Sequence, residues 1–241
     1  DLSTARSTGP IALGRKGVSR LARAGADGLA RAAGCRVVGV QRWGVGHDEV
    51  RSVIDVGCAW GTPELLAAFP DRPVLLIDPL VEYRESMDRT VAERGGVALS
   101  CAVGAAAGEV TISVEQAALT KSSVQDRTPL SAVAGDAEDR TVPLRTLDEI
   151  VAEAGLTGPF ALKVDTEGSE LAVLEGGIAT LAETSVLIVE ASVAPRFVDG
   201  YRFSDIVLAA RELGFELETI LTANPDGNGV VRFADLQFGR A

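Results

Sequence analysis

The sequence is poor in the residues that build disulfide scaffolds, metal clusters and histidine-based active sites. Its 241 residues include three Cys and one His. The cysteines (Cys35, Cys58 and Cys101) form no CxxC pair, which indicates a reducing cytoplasm and argues against a structural zinc site. A Ser-His-Asp triad would have to use His47, which precedes the first predicted strand and is not expected at the catalytic edge of a sheet.

Long apolar runs and leader-like segments are also missing. No run approaches the roughly 18 apolar residues of a membrane span, and no basic segment leads into an apolar one as in a secretory signal. Hydrophobic residues make up 46% and charged residues 24%, which excludes a disordered or collagen-like chain. We therefore expect a cytoplasmic, globular protein without a transmembrane segment.

Charge is unevenly distributed along the chain. Residues 1–45 hold eight Arg or Lys against two Asp, a net +6, whereas the remainder carries −17 within a total of −11. An acidic body disfavours nucleic acid as a partner. We expect residues 1–45 to form a basic, helical arm that packs on the body or binds a membrane surface or a partner, and residues 46–241 to form the main domain. Homo-oligomerisation stays open.

Short apolar runs alternate with helical patterns along residues 46–241, as in a doubly wound α/β sheet. The runs are continuous in Val, Ile and Leu, which is typical of strands buried on both faces of a parallel sheet. A capping box, Thr146 with Glu149, predicts the start of one helix. The predicted strands are residues 52–56, 73–77, 97–103, 109–114, 160–164, 185–190, 215–222 and 230–238.

Two segments depart from the strict alternation of strands and helices. Residues 116–140 are small and polar without a clear period, which predicts a long loop. The last two predicted strands have no helix between them, which predicts a hairpin whose final strand is antiparallel and lies on the sheet edge. In an open α/β sheet of this kind, the ligand site lies at the carboxyl ends of the strands.

A glycine turn follows the first predicted strand. Gly57 and Gly61 allow a tight turn and a close backbone approach to a ligand, but their spacing is neither GxGxxG nor a P-loop. Asp55, just before the turn, would repel a pyrophosphate and would suit a cationic amine. Asp78, at the end of the second strand, can accept two hydrogen bonds from a ribose diol. Together these residues favour S-adenosylmethionine over a dinucleotide.

These residues belong to an ordered set that resembles the FkbM-type family of S-adenosylmethionine-dependent methyltransferases. The resemblance runs from about Val53 to Glu190 and is most specific in the segment KVDTEG after a buried strand. It implies the class I methyltransferase fold, a Rossmann-like, mostly parallel seven-stranded sheet with an antiparallel C-terminal edge strand. The matching residues are Asp55-Val56-Gly57 with Gly61, Asp78-Pro79, Ala102-Val103-Gly104 with Gly108, Ser122-Ser123, Thr146-Leu147-Asp148, Lys163 through Glu170, and Gly176.

The resemblance also implies which residues contact the cofactor. The chain has Cys58-Ala59 where the family usually has Ala-Asn, and Asp78 where it usually has Glu, one methylene shorter but with the same acceptor pair. We expect Trp60, which is bulky for such a loop, to pack in the core beneath it. The implied contacts are Gly57, Cys58, Ala59 and Gly61 under the methionine part, Asp78 and Pro79 at the ribose, and Ala102 and Val103 at the adenine.

Carboxylates at the ends of two later strands are the candidate catalytic groups. An alcohol nucleophile needs a base to take its proton as the new bond forms, and Asp165 and Glu167 follow the fourth buried strand. Lys163 shares a strand face with Asp165 and either tunes that carboxylate or forms a plain ion pair. We expect Glu167 to lie farther out, where it could reach the substrate as the base or else cap the next helix. We expect Asp165 to lie deeper, where it could orient the substrate or hold the methionine amine. The candidate substrate contacts are Ser122, Ser123 and Glu190.

The expected activity is methylation of a hydroxyl on a small molecule or glycan, such as a sugar or a secondary metabolite. N-methylation of a small-molecule amine, a non-catalytic S-adenosylmethionine-binding module and a dinucleotide oxidoreductase stay open as alternatives. Mg²⁺ could be held by oxygen ligands at Asp165, Glu167 and Glu190. No D-x-D or similar spacing supports such a site, however, and metal dependence is not favoured.

Overall fold

The computed structural model describes residues 43–241, and in this part of the chain ten strands form two sheets. Every strand of the sequence-based prediction has a counterpart among them; the bounds predicted as 52–56 and 160–164 are confirmed, and the others are shifted. The strands are β1 (Ser52–Val56), β2 (Val74–Ile77), β3 (Gly96–Leu99), β4 (Ala102–Val103), β5 (Gly108–Glu115), β6 (Ala137–Arg145), β7 (Phe160–Val164), β8 (Thr184–Ser192), β9 (Phe215–Pro225) and β10 (Val231–Arg240).

The larger sheet contains seven strands of the described residues in the order β3-β2-β1-β7-β8-β10-β9. The pairs from β3 through β8 are parallel, and β10 is antiparallel to both β8 and β9. This arrangement confirms the doubly wound, mostly parallel seven-stranded sheet and the class I methyltransferase fold.

The position predicted for the antiparallel strand needs a correction. The C-terminal strand β10 does not form the edge, because it is inserted between β8 and β9, and β9 is the edge strand. The physical reason lies in the two burial patterns. Four successive residues of β10, from Leu236 to Gly239, are buried, whereas most residues of β9 keep some exposure to solvent. The more buried strand of the hairpin takes the interior position.

Helices cover both faces of the large sheet. Every residue of β1, β2 and β7 is buried, as expected for parallel strands with both faces covered. The α-helices of the described residues are α1 (Pro63–Ala68), α2 (Arg84–Arg94), α3 (Leu147–Ala154), α4 (Glu170–Glu175), α5 (Ile178–Ala182) and α6 (Phe203–Glu212). Ile54 and Leu162 pack on one face against α3, α4 and α6, and Val53 and Ala161 pack on the other against α1 and α2.

Local sequence signals account for the helix ends. The predicted capping box opens α3: the Thr146 hydroxyl accepts from the Glu149 N–H, and the Glu149 carboxylate accepts from the Thr146 N–H. Gly155 ends the helix in the left-handed conformation that glycine adopts without steric cost. Pro63 occupies the first turn of α1, where its missing N–H is not needed.

The smaller sheet, β4-β6-β5, covers a region that the sequence-based prediction described less well. The predicted strand 97–103 divides into β3 of the large sheet and β4 of the small one. The predicted loop 116–140 is shorter, because its last residues belong to β6. That strand has the sequence AEDRTVPLR, and none of its residues is fully buried. It therefore lacks the apolar run that predicts a buried strand.

The predicted basic arm, residues 1–45, lies outside the described residues except for positions 43–45. Among residues 43–241, no helix is long and apolar enough to cross a membrane.

Candidate active site

A cavity of about 630 Å³ opens at the carboxyl ends of β1, β2, β7 and β8. Its wall includes every residue predicted for cofactor, catalysis or substrate except Asp55. It also includes further residues of the loop that holds Ser122 and Ser123, and residues of the β9–β10 hairpin, which the sequence did not single out. The residue set of this cavity therefore agrees with the position expected for the ligand site of an open α/β sheet.

The turn after β1 requires glycine at position 57. Gly57 has φ +73°, in the left-handed region that residues with a Cβ rarely adopt. A Cβ added there would lie 1.8 Å from the carbonyl oxygen of Asp165, which follows β7. The Gly57 N–H donates to the carbonyl of Ile77 at 2.8 Å. This glycine therefore lets three neighbouring strand ends meet at the floor of the cavity.

Asp55 lies behind this turn and does not line the cavity. Its carboxylate is fully buried and accepts from the N–H and the hydroxyl of Thr62, at 2.8 and 3.2 Å. Burial raises the pKa of Asp55, while Lys163 and the bonds from Thr62 oppose that rise. Asp55 therefore does not make the direct contact with a cationic amine that the sequence suggested. Its carboxylate instead connects the turn to the start of α1.

Asp78, at the end of β2, is buried in the cavity wall. One carboxylate oxygen accepts from the N–H of Ala59 at 2.8 Å, and the other from the N–H of Leu80 at 2.9 Å. Burial raises the pKa of Asp78 to about 6, against the opposing effect of these two bonds. Each oxygen of a carboxylate can accept more than one hydrogen bond, so Asp78 keeps acceptor capacity for a ligand.

Trp60 does not pack in the core, and this expectation from the sequence is wrong. Its exposed fraction is 53%, and its ring meets the ring of Tyr83 edge-on at 5.7 Å. The space beneath the loop is taken by the smaller Cys58, whose sulfur lies 3.4 Å from that of Met87. Because the core position is already filled, the bulky indole of Trp60 lies at the mouth of the cavity.

Lys163 and Asp165 form an ion pair at the end of β7. The Lys163 ammonium lies 2.6 Å from an Asp165 carboxylate oxygen, and Lys163 is almost completely buried. Burial alone would lower the pKa of Lys163, but the nearby carboxylates of Asp165, Asp55 and Asp235 outweigh it, so that the pKa is raised. Lys163 is therefore a permanent cation surrounded by acids.

Glu167 and Glu190 are held by arginines that the sequence analysis missed. Arg127, in the loop between β5 and β6, lies 2.9 Å from the Glu167 carboxylate. Arg196 pairs with the same carboxylate oxygen of Glu167 and also with Glu190, at 2.6 Å for the latter. The pKa of Glu190 is raised well above its usual value. The main cause is burial, the second is repulsion from the Asp165 carboxylate, and the Arg196 guanidinium opposes both. No motif marks either arginine, because both lie in irregular loops.

Hydrogen bonds of two serines hold the loop between β5 and β6 next to Glu167. The Ser123 hydroxyl donates to the Glu167 carbonyl at 2.7 Å, while the Ser122 hydroxyl accepts from the N–H of Glu115 at 3.1 Å. Both serines line the cavity, but their hydroxyls hold the loop. The Glu167 carboxylate bonds to the two arginines, and α4 begins at its N-cap Ser169 without a side-chain capping bond. The Glu170 carboxylate accepts from the N–H groups of Thr166 and Gly168, which precede α4.

The acids that could bind a metal ion do not form a suitable donor set. Among residues 43–241, no group of three His, Cys, Asp or Glu side chains is arranged to hold a metal. Glu167 and Glu190 are engaged by guanidinium groups, and Asp165 is engaged by an ammonium group. The three carboxylates proposed from the sequence therefore do not fit Mg²⁺ in this arrangement.

Comparison with known proteins identifies the family. The family described as "Methyltransferase FkbM domain" matches residues 66–217, which is more than half of the chain. The chain therefore belongs to the FkbM methyltransferase family, which confirms the resemblance seen in the sequence. It is an S-adenosylmethionine-dependent methyltransferase. A comparison with curated proteins finds no match.

Several solved methyltransferase structures are similar at low sequence identity. A TehB-like SAM-dependent methyltransferase from Corynebacterium glutamicum is 14% identical, with a TM-score of 0.43, 93% of this chain covered and 99% of that one. Magnesium protoporphyrin IX methyltransferase from Synechocystis, solved with bound SAM, is 10% identical, with a TM-score of 0.40 and coverages of 98% and 87%. TehB from Haemophilus influenzae is 11% identical, with a TM-score of 0.43 and coverages of 89% and 66%.

Proposed function

We propose that this methyltransferase acts on a hydroxyl group of a sugar, a glycan or a secondary metabolite, with Asp165 as the base. One observation carries the choice of base. Of the three candidate carboxylates, Asp165 has the most exposed side chain, 27% against 11% for Glu167 and 8% for Glu190. This reverses the order expected from the sequence, in which Glu167 lies farther out than Asp165. It also differs from the other two in having no guanidinium partner among the described residues.

The residues of the glycine turn and of β2 would hold the cofactor. When bound, S-adenosylmethionine supplies an electrophilic methyl group on a sulfonium sulfur. The turn lines the cavity with Gly57 and Gly61. Asp78 keeps acceptor capacity for the ribose hydroxyls, next to Pro79. The proposed contacts are Gly57, Cys58, Ala59, Gly61, Asp78 and Pro79, with Ala102 and Val103 beside the adenine; all of them line the cavity.

Lys163 orients the proposed base. Its ammonium holds one Asp165 oxygen at 2.6 Å, so the other oxygen is directed away from this contact and can accept a proton from an acceptor hydroxyl. The buried ammonium fixes the carboxylate without itself exchanging a proton, since its pKa is raised. Lys163 is thus a positioning residue in this proposal. A base in such a position typically contributes about 10²–10⁴-fold to the rate.

Glu167 and Glu190 form a wall rather than a second base in this proposal. Both carboxylates share the guanidinium of Arg196, and Glu167 has a second partner in Arg127. An acceptor proton would have to displace these ion pairs. This arrangement supports a role in holding the loop between β5 and β6 against the carboxyl ends of β7 and β8.

We also keep the cytoplasm as the proposed location and the division at residue 45 as the proposed domain boundary. The location is supported by Cys58 and Cys101, which are buried free thiols. The boundary is supported by the change from a net charge of +6 in residues 1–45 to −17 in the remainder.

The activity can be tested with fractions of a host-cell extract as the source of the acceptor. Incubation of these fractions with the protein and with S-adenosylmethionine carrying a labelled methyl group is expected to label a product at a hydroxyl oxygen. NMR of the purified product locates the methyl group. A label on nitrogen would replace this proposal by the N-methyltransferase alternative. Cofactor binding without transfer to any fraction would support a non-catalytic module.

The base is tested on the labelled product. Asp165→Asn is expected to lower kcat by at least ~100-fold, the lower end of a general-base contribution, with the affinity for S-adenosylhomocysteine unchanged. Glu167→Gln is expected to lower it much less. Asp139→Asn, at an exposed position of β6 outside the cavity, is the matched control. Turnover near that of the wild type in Asp165→Asn would remove Asp165 as the base.

A further inference from the structure

We infer that the β9–β10 hairpin carries the acceptor-binding surface, and that its chemistry selects a pyranose sugar. The inference rests on the proposed function and deepens it. Four side chains form this surface, which we call the hairpin patch: Thr222, Asn224, Phe233 and Asp235. All four line the cavity, and all lie beyond the residues 66–217 that match the family.

Strand register brings the four side chains onto one face. Phe233 is paired with Asn224 across the hairpin, and Asp235 is paired with Thr222. Residues two apart on a strand point to the same side, and directly paired residues share a side. The hairpin patch is therefore a two-by-two array of an aromatic ring, a carboxylate, an amide and a hydroxyl.

The sheet order places this array on the far side of the proposed base. β1 and β2, which carry the proposed cofactor residues, lie on one side of β7, and β8, β10 and β9 follow on the other. Neighbouring strands are about 4.8 Å apart, so β10 lies about 10 Å from β7, roughly the width of a sugar ring and its substituents. Asp235 is paired with Glu190 of β8 and contributes to the raised pKa of Lys163. The hairpin patch and the Lys163–Asp165 pair therefore line the same cavity.

The polar groups of the hairpin patch keep hydrogen-bonding capacity for a ligand. Asp235 accepts from the Thr222 hydroxyl through one carboxylate oxygen. Within residues 43–241, its other carboxylate oxygen and the side-chain amide of Asn224 have no hydrogen-bond partner. A carboxylate accepts from hydroxyl groups, whereas an amide both donates and accepts. Together they match the adjacent hydroxyl groups of a pyranose.

Phe233 supplies the apolar part of the hairpin patch. Its ring is fixed by Arg196, whose guanidinium carbon lies 4.5 Å from the ring centroid, and the Lys121 ammonium lies 5.7 Å from that centroid. A ring beside polar groups can contact the C–H face of a sugar while its hydroxyls meet Asp235 and Asn224. A purely aromatic acceptor would contact Phe233 but leave these polar groups unpaired, which costs affinity.

Ligand-observed NMR tests this inference. Saturation transfer from the protein is measured to the methyl glycosides of glucose, mannose, rhamnose and fucose at millimolar concentration, with and without S-adenosylhomocysteine. At least one glycoside is expected to receive saturation from the wild type. The signal is expected to fall at least fivefold in Asp235→Asn and in Phe233→Leu. Glu216→Gln, an exposed carboxylate on β9 outside the cavity, is the matched control and should keep the signal.

The outcomes separate this inference from the proposed function. If S-adenosylhomocysteine binds but none of the four glycosides receives saturation, the sugar assignment is overturned while the methyltransferase proposal stands. A signal that survives in an Asn224→Ala/Asp235→Asn double variant would move the sugar away from the hairpin patch. If Asp235→Asn does not fold, Asn224→Ala carries the test, since the described structure shows no hydrogen bond for its amide to lose. Glycoside binding that persists when methyl transfer to hydroxyls fails would sink the proposed function alone.

Discussion

Carboxylates on the two sides of the cavity are held by different kinds of partner. On the β1–β2 side, Asp55 and Asp78 accept from backbone N–H groups, with one added hydroxyl from Thr62. On the β7–β8 side, Asp165 pairs with a lysine, and Glu167 and Glu190 pair with arginines. Backbone N–H groups of the turn after β1 hold Asp55 and Asp78, whereas Arg127 and Arg196 reach Glu167 across 40 and 29 residues.

This difference separates two structural tasks. The glycine turn needs a rigid shape, and the hydrogen bonds from its Ala59 and Thr62 N–H groups to Asp78 and Asp55 provide it. The opposite wall needs to join three separate segments, and the buried guanidinium of Arg196 joins them by contacting Glu167 and Glu190 together. Changes at the turn should therefore affect the shape of the cofactor site, and changes at Arg196 should affect overall stability.

The largest effect is expected from Gly57→Ala. The new Cβ would lie 1.8 Å from the Asp165 carbonyl oxygen, so the end of β1 or of β7 has to move. We expect turnover to fall by ~100-fold or more, because misplacement by about 1 Å at the site has effects of this size on the rate, and we expect the affinity for S-adenosylhomocysteine to fall as well. Calorimetry measures the affinity.

Gly46→Ala is the matched control for this prediction. Gly46 also has a positive φ, but nothing lies within 4 Å of its added Cβ. It should show the backbone cost of about 1–2 kcal/mol in unfolding and unchanged affinity. Equal losses of affinity in the two variants would mean that the contact with Asp165 does not matter.

A second large effect, on stability rather than on the cofactor site, is expected from Arg196→Ala. The change leaves Glu190 buried next to Glu167 without the cation that both share. Removing one partner of a buried ion pair costs about 3–5 kcal/mol of unfolding free energy, measurable by urea denaturation. Arg211→Ala, an exposed arginine 4.0 Å from Glu216, should change stability by less than about 0.5 kcal/mol. A loss below about 1 kcal/mol in Arg196→Ala would contradict the proposed structural role of this wall.

The smallest effect is a pH dependence that originates at Asp78. Its pKa is raised to about 6 in the folded protein, so its carboxylate takes up a proton as the pH falls through that value. If the ribose needs the charged form, the affinity for S-adenosylhomocysteine should fall about tenfold per pH unit below pH 6. This component should disappear in Asp78→Asn, as measured by calorimetry between pH 8 and pH 5.

Protonation of Asp78 is expected to weaken cofactor binding but to increase the stability of the fold. A raised pKa means that the folded state binds the proton more tightly than the unfolded state, so Asp78 lowers stability at neutral pH. Stability from this group should increase as the pH falls from about 7 towards the unfolded value of 3.8. An identical pH profile of unfolding in Asp78→Asn would contradict the assignment.

Features with a local cause could be predicted from the sequence. The buried strands, the glycine turn and the Thr146–Glu149 capping box each depend on residues within a few positions of one another. The position of Asp78 at the end of β2 was predicted for the same reason. The FkbM resemblance added the order of these pieces, and the family match at residues 66–217 confirms it.

Features that depend on distant segments were missed. Arg127 reaches Glu167 across 40 residues, and Arg196 reaches it across 29, from loops without periodicity. The partner of Asp55 is seven residues away and was still missed, because the motif offered a ligand role for the acid. The predicted edge position of β10 failed because a hairpin pattern fixes the pairing of β9 with β10 but not which of them meets β8.

The insertion of β10 between β8 and β9 also has a consequence while the chain is being synthesised. β9 leaves the ribosome before β10, yet in the described sheet its hydrogen-bonded neighbour is β10. A nascent chain that has reached Pro225 therefore presents the open edge of β8 together with an unpaired β9. Unpaired strand edges of this kind readily associate with other chains. The ten residues from Val231 to Arg240 close both edges in one step, and they bring Phe233 and Asp235 to the cavity in the same event.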